Sequence, residues 1–537
     1  MPESPAEPGT SPGPAPAPGG APGGGVFAPG GASVGGLQRA LAAGTLTSAG
    51  ITAFYLERIH RLNPALHAVI TVNPAATAEA RASDVTRAGG SPRSPLEGIP
   101  VLVKDNIQVA GMATTAGSPA LLNAQGRDSF LVRRLREAGA VIIGKANLSE
   151  WANFRSTHGT SGWSTLGGQT ANPYELERNP SGSSSGSAAG IAAGLAPIAV
   201  GTETDGSIVC PASACGVVGI KPTLGLVSRT GIVPVSLAQD TAGPMARSVA
   251  DAAALLSVLA AADPEDPACS DAHHVSERAN GDPDYREFCD PGALRGARVG
   301  VWRDGSAAAG AATAAVLDSA VKRLRELGAM VIDPVELPGA DQIGQPEFAA
   351  LLHEFKHDLG VYLAALPGRA PRTLAEVVSF NQRNAGLVLA RFGQELFEQA
   401  EATRGDRTDP AYRELRADAA RLARVAVETP LVTHRLDAVV ALTASPAWLT
   451  DYVLGDHDVF HTSAPAAVGG YPAVSLPFGY VWGLPVGISF MGPRWSEPRL
   501  IALAYAFEQA AAAPAAPTGA PHVTTGSPPH LAETLSP

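Results

Sequence analysis

Apolar positions along this chain fall into two alternating patterns. Stretches with apolar residues three and four apart predict amphipathic helices, and short β-branched runs between them predict strands. One such unit recurs: Leu135-Arg-Glu-Ala-Gly139-Ala-Val-Ile142 resembles Leu324-Arg-Glu-Leu-Gly328-Ala-Met-Val-Ile332. In each, an amphipathic helix ends at a glycine and a short strand follows. Further strands are predicted at Val101–Val103, Pro197–Val200, Arg298–Trp302, Ala438–Leu442 and Val486–Phe490. This alternation predicts an α/β fold in which a mostly parallel or mixed sheet is covered by helices. From about Pro346 to Glu428 the pattern is mainly helical and reads as a cap or insertion.

Composition bounds the folded unit. Residues 1–36 and 514–537 are dominated by Pro, Gly, Ala and Ser. Such segments bury too little apolar surface to offset their ordering entropy, so both are expected to be disordered tails. Residues 37–513 remain as one large domain. The formal net charge is −11, with no Lys/Arg cluster to override it, which argues against a nucleic-acid partner. The N-terminus lacks a basic segment followed by an apolar core, and the longest small-and-apolar run, Ser187 to Val200, is too short for a bilayer. A soluble, cytoplasmic protein with no membrane partner is expected. Four cysteines in 537 residues do not make a disulfide scaffold.

The densest chemistry lies between Asn179 and Arg247. It begins Asn179-Pro-Ser-Gly-Ser183-Ser184-Ser185-Gly-Ser187, continues through an Ala/Gly-rich helix, and reaches Gly201-Thr-Glu-Thr-Asp-Gly-Ser207-Ile-Val-Cys. Gly219-Ile-Lys-Pro-Thr223 and Asp240-Thr-Ala-Gly-Pro-Met-Ala-Arg247 follow. By composition alone a Ser/Gly-rich stretch is a linker. Here its neighbours are apolar helix and strand, and a linker would not be embedded in core. Small residues suit a backbone that turns sharply and aims its N–H groups at a ligand. Thr204, Asp205, Gly206 and Ser207 are placed to offer such groups to an oxyanion. A serine needs a base, and the nearest histidines, His158 and His273, are remote in sequence. Lys104 ends a buried strand in Gly98-Ile-Pro-Val-Leu-Val-Lys104-Asp-Asn106. Burial of its ammonium should lower its pKa and free it as a general base. Taken alone, a lysine at a strand end simply reaches solvent.

Together these residues resemble the amidase-signature family, over most of the chain between the tails, from Val-Leu-Val-Lys-Asp-Asn to Gly483-Leu-Pro-Val-Gly487. The family carries two Ser-bearing, Gly-rich segments about two dozen residues apart, and Ser183 and Ser207 are 24 apart. The resemblance implies Ser207 as nucleophile and Lys104 as base. It implies Ser183, behind a cis peptide bond, as the relay between them. It further implies an acyl-enzyme mechanism with no cofactor and no metal, acting on a small-molecule or peptide amide and water. The implied fold is a three-layer α/β/α sandwich around a large mixed, twisted sheet. Many members read Gly-Gly-Ser-Ile-Arg at the nucleophile, whereas this chain reads Asp205-Gly206-Ser207-Ile208-Val209. With Asn147-Leu-Ser-Glu-Trp-Ala-Asn153 and Gly167-Gly-Gln-Thr-Ala-Asn-Pro-Tyr174, this looks more like the peptide amidase branch, which removes C-terminal amides from peptides.

Other motifs give competing readings. Gly182-Ser-Ser184-Ser-Gly186 matches the nucleophile elbow of α/β-hydrolases. His353-Glu354-Phe-Lys-His357, with Glu376 beyond it, matches a zinc-peptidase helix. The plainer expectation for that helix is that Phe355 and Leu359 pack and the histidines face polar surroundings. Cys269, His273, His274 and Cys289 could form a metal cluster, although they lack paired spacing. Cys210 and Cys215 are expected to be small packing residues. An amidotransferase subunit working within a complex is the alternative from another functional class.

Overall fold

The computed structural model describes residues 31–90, 92–124, 126–272 and 283–511. The expected tails lie outside these residues except at 31–36, the inner margin of the N-terminal one. The helix Val34–Ala42 begins inside the predicted N-terminal tail. The Ser33 hydroxyl caps it at Gly36 N, Val34 N donates to Asp251, and Val34 and Leu37 are buried. A cap and two buried side chains therefore draw residues adjoining a Pro/Gly-rich segment into the fold. At the other end the helix Glu497–Ala511 is the last described element.

The strands are β1 (Val69–Val72), β2 (Pro100–Lys104), β3 (Val141–Ala146), β4 (Trp163–Ser164), β5 (Gly168–Gln169), β6 (Ile198–Glu203) and β7 (Val218–Lys221). They continue as β8 (Thr241–Ala246), β9 (Arg298–Val301), β10 (Met330–Ile332), β11 (Ala438–Leu442), β12 (Ala473–Val481) and β13 (Leu484–Met491). Strands β4 and β5 form a small ribbon. The others make one sheet in the order β1-β3-β2-β6-β8-β7-β12-β13-β11-β9-β10. It is mixed: β3-β2-β6 and β11-β9-β10 run parallel, and the remaining pairs are antiparallel. Every residue of β2, β3, β6, β8 and β13 is buried, as strands covered by helices on both faces require. The expected sandwich is thus formed, and the five predicted strands are all present, with ends that agree within three residues.

Both copies of the helix–glycine–strand unit form. Gly139 and Gly328 take φ of 82° and 86° after the helices Phe130–Glu137 and Ala311–Glu326. Their strands differ in depth, since β3 is interior and β10 is an edge with Met330 47% exposed. The predicted insertion is helical as expected, with helices Gly344–Ala365, Leu374–Arg383, Ala385–Val388, Glu395–Ala402 and Pro410–Thr433. Phe355, Leu359, Leu363, Val377 and Phe397 form its core and pack against Trp151, Phe154 and Val235 of the main domain. Among the described residues, no helix is long and apolar enough to cross a membrane.

Candidate active site

Three chain segments converge at one end of the sheet. Strand β2 ends at Lys104, the 179–184 turn carries Ser183 into the helix Ser185–Ala192, and the turn after β6 carries Ser207. Small residues permit this convergence. A Cβ on Gly186 would lie 2.3 Å from Ala68 O and 2.5 Å from Asn147 N, so only glycine lets that helix start against the neighbouring backbone. Gly206 has φ 75°, and a Cβ there would meet Cys210 Sγ at 2.8 Å. Glu203 folds back on the same turn: its Oε2 accepts from Ile208 N at 2.7 Å and Val209 N at 3.0 Å.

Lys104 is fully buried. Its Nζ lies 2.7 Å from Ser183 Oγ, 3.0 Å from Ser184 Oγ, 2.9 Å from Thr202 Oγ1 and 3.1 Å from Thr202 O. These are hydroxyls and a carbonyl, and no carboxylate among the described residues pairs with it. Burial pushes its pKa down from 10.5 to about 7, against the opposing pull of Asp240 and then Glu203. A neutral amine in this setting can donate to Thr202 and accept from a serine hydroxyl. The Gly182–Ser183 peptide bond is cis.

Ser207 is 8% exposed and opens on a cleft of about 220 Å³. Gly182, Thr204, Asp205 and Gly206 line it beside Ser207; Asn153, Phe154, Val235, Trp448 and Asp456 form other walls. Among the described residues, the N–H groups of Asp205, Gly206 and Ser207 have no intramolecular acceptor. A row of unengaged donors beside a hydroxyl is what a developing oxyanion needs. The hydrogen-bond chain from Lys104 reaches Ser183 and stops there: Ser207 Oγ has no partner among the described residues. Thr204, the fourth residue of the expected row, lines the cleft with its hydroxyl turned to Asp240 Oδ1 at 2.5 Å.

The competing motifs take other roles. Ser184 Oγ is fully buried, accepts from Lys104 and Thr202 N, and donates to Thr202 O, so it is not an exposed elbow nucleophile. Glu354 is also occupied. Its oxygens accept from Arg416, Tyr412 and Ser236. Burial pushes its carboxyl up, but Arg416 and the hydroxyls hold it below its ordinary value. His353 lies against the Tyr412 ring and His357 bonds Asp358, while Phe355 and Leu359 are buried as expected. Glu376 accepts from Arg372 N. Cys210, Cys215 and Cys269 are buried thiols, and Cys289 is half-buried; His273 and His274 lie outside the described residues. No group of three or more His, Cys, Asp or Glu among the described residues is arranged to hold a metal.

Sequence reasoning missed several residues of the site. Gln239 and Asp240 grip Thr204, Glu203 pins the nucleophile turn, and Asp456 ties the 161 loop to the cleft rim through Ser161 N and Oγ at 2.9 and 2.5 Å. Asp240 stands in the dense central segment, but nothing in local spacing reveals its partner. Trp151, Ala152 and Asn153 are three successive left-handed non-glycine residues, two of them on the cleft wall.

Comparison with known proteins gives the family. Residues 50–501 match the family described as Amidase. A probable amidase of Arabidopsis thaliana is 42% identical over 477 residues, covering 87% of each chain. The solved peptide amidase of Stenotrophomonas maltophilia is 48% identical with a TM-score of 0.84, covering 92% of this chain and 99% of that one. One subunit of the glutamyl-tRNA(Gln) amidotransferase of Moorella thermoacetica is 36% identical over 479 residues, covering 86% of this chain and 93% of its own length. The chain belongs to the amidase family, the amidase-signature hydrolases that act on amide C–N bonds.

Proposed function

We propose that this amidase cleaves the C-terminal carboxamide of peptides, with Ser207 as nucleophile, Ser183 as proton relay and Lys104 as base. The carrying observation is the 2.7 Å bond between Lys104 Nζ and Ser183 Oγ at a fully buried amine, next to a serine flanked by unengaged N–H donors. The neutral amine takes the Ser183 proton as Ser183 takes that of Ser207. Ser207 Oγ bonds to the amide carbon, and the carbonyl oxygen becomes an oxyanion held by the N–H groups at 205–207. The C–N bond then breaks, the proton returns along the relay to the leaving nitrogen, and ammonia departs. Water, deprotonated by the same relay, attacks the acyl-enzyme and releases the acid. Substrate binding brings Ser183 and Ser207 within reach of each other, since catalytic hydrogen bonds tighten in the complex.

The substrate class is supported by the likeness to the Stenotrophomonas maltophilia peptide amidase and by the Asp-Gly-Ser turn. The test is ammonia release from amidated peptides and from simple aliphatic and aromatic amides. Peptide amides should turn over with the highest kcat/KM, and Ser207→Ala should remove all measurable turnover with the fold intact. Amidase activity surviving in Ser207→Ala sinks the triad. Equal or better turnover of simple amides sinks the substrate class. The likeness to amidotransferase subunits favours a second reading, in which the isolated chain is inert until a protein partner is added. Gel filtration and activity of the isolated chain separate the two.

A further inference from the structure

One buried side chain, Gln239, links the helical insertion directly to the nucleophile turn. Gln239 Oε1 accepts from Arg416 Nη1 at 2.5 Å. Its Nε2 donates to Glu347 Oε1 at 2.8 Å and to Thr204 O at 3.1 Å. Arg416 and Glu347 belong to the insertion helices Pro410–Thr433 and Gly344–Ala365, and Thr204 belongs to the turn. Gln239 is 1% exposed. Arg416 has only donors and Thr204 O only accepts, so the surroundings admit one orientation of the amide.

The contact with Thr204 O has a geometric consequence. A peptide unit is planar and trans, so its C=O and N–H point in opposite directions. Holding Thr204 O toward Gln239 turns the N–H of Asp205 the other way, and Asp205 is a cleft residue whose N–H has no intramolecular acceptor. The Arg416 guanidinium also polarises the Gln239 amide and strengthens its donor end. Asp240 grips the same residue by its hydroxyl, so Thr204 is fixed at two points from consecutive residues. Arg416 in turn is anchored on Glu354, the acid of the zinc-like motif, which explains that motif as part of a support rather than a metal site.

We infer that Gln239 is a positioning residue for amide cleavage. Its side chain, set by Arg416 and Glu347 of the insertion, orients the 204–205 peptide unit so that Asp205 N–H faces the developing oxyanion. The role resides in the transition state, because the ground-state carbonyl needs that donor less than the oxyanion does. Burial, and then the charge of Asp205, push Glu347 up to about 8, which keeps it neutral beside Gln239 at pH 7. This inference rests on Ser207 as the nucleophile.

The test uses the full chain and the best amide substrate from the screen, with ammonia release as readout. Gln239→Met keeps the length and removes both donors. It should lower kcat about 10- to 100-fold with KM within about twofold, the pattern of a misdirected oxyanion donor. Arg416→Lys keeps the charge on Glu354 but loses the fork that reaches both Glu354 and Gln239, and should lower kcat less. The double variant should be no slower than Gln239→Met alone, because both changes act through one amide. A Gln239→Met kcat within twofold of wild type overturns the inference, and so do a rise in KM at unchanged kcat and additive losses in the double variant. If Gln239→Met does not fold, an unchanged kcat in Arg416→Lys overturns it and a lowered kcat at constant KM supports it. Ser207→Ala is measured alongside. Residual turnover there removes the underlying triad, whereas an inactive Ser207→Ala beside a normal Gln239→Met removes only this inference.

Discussion

Two lysines on neighbouring strands, Lys104 on β2 and Lys145 on β3, have the same chemistry and the same full burial, yet opposite surroundings. In the sheet register Lys145 stands opposite Val103, so by strand alternation it shares a face with Asp105 while Lys104 points to the other face. On its face Lys145 Nζ pairs with Asp105 Oδ1 at 2.8 Å. On the opposite face Lys104 finds Ser183, Ser184 and Thr202, and no carboxylate partner among the described residues. Burial alone therefore does not make a base. Both lysines are pushed down by burial, but Lys145 has a counter-charge that keeps it paired, whereas Lys104 is left to become neutral near pH 7.

The contrast between the two lysines can be tested from either side. The largest effect is expected for Lys104→Met, which should lower kcat by about 10³-fold or more while leaving the thermal midpoint as high as that of wild type. No charge is stranded by this change, because the partners that remain are neutral. A variant with near-normal turnover would show that the base lies elsewhere. Lys145→Met is expected to do the reverse. It strands the buried Asp105 carboxylate and should cost about 3–5 kcal/mol in denaturant unfolding, with turnover per folded molecule preserved. A stable Lys145→Met protein would contradict the view that the pair is structural.

The smallest expected effect concerns the charge near Lys104. Activity requires neutral Lys104, so kcat/KM should fall as pH drops below about 7. The Asp240 carboxylate raises the Lys104 pKa, so Asp240→Asn should move this acid limb to lower pH, by up to about one unit, measured on the same amide substrate. A limb that stays in place would mean that Asp240 acts only through its hydrogen bond to Thr204. Stability carries the matching sign. The folded-state pKa of Lys104 is lowered from 10.5 to about 7, so this group opposes folding most strongly below about pH 7, and that penalty is relieved as pH rises from about 7 to 10.5. Lys104→Met should lack that alkaline gain.

The order of residues along the chain is enough to specify the α/β alternation, the helical insertion and the candidates Lys104 and Ser207, whereas Ser183 is singled out by the family resemblance. The former are legible because each rests on a local signal: an apolar run ending in lysine, a Ser/Gly turn flanked by core, and a helix-period segment free of strands. Local signals also mislead at the margins, where Val34 reads as tail and His353-Glu354 as a metal helix. Two facts emerge only from the packed molecule: which of two buried lysines lacks a counter-ion, and that Gln239 and Arg416, 177 residues apart, share one hydrogen bond. Periodicity reports which side of an element is buried. It carries no information about which distant polar group meets it there, and in a dry interior that partner sets both the charge of a lysine and the direction of a peptide N–H.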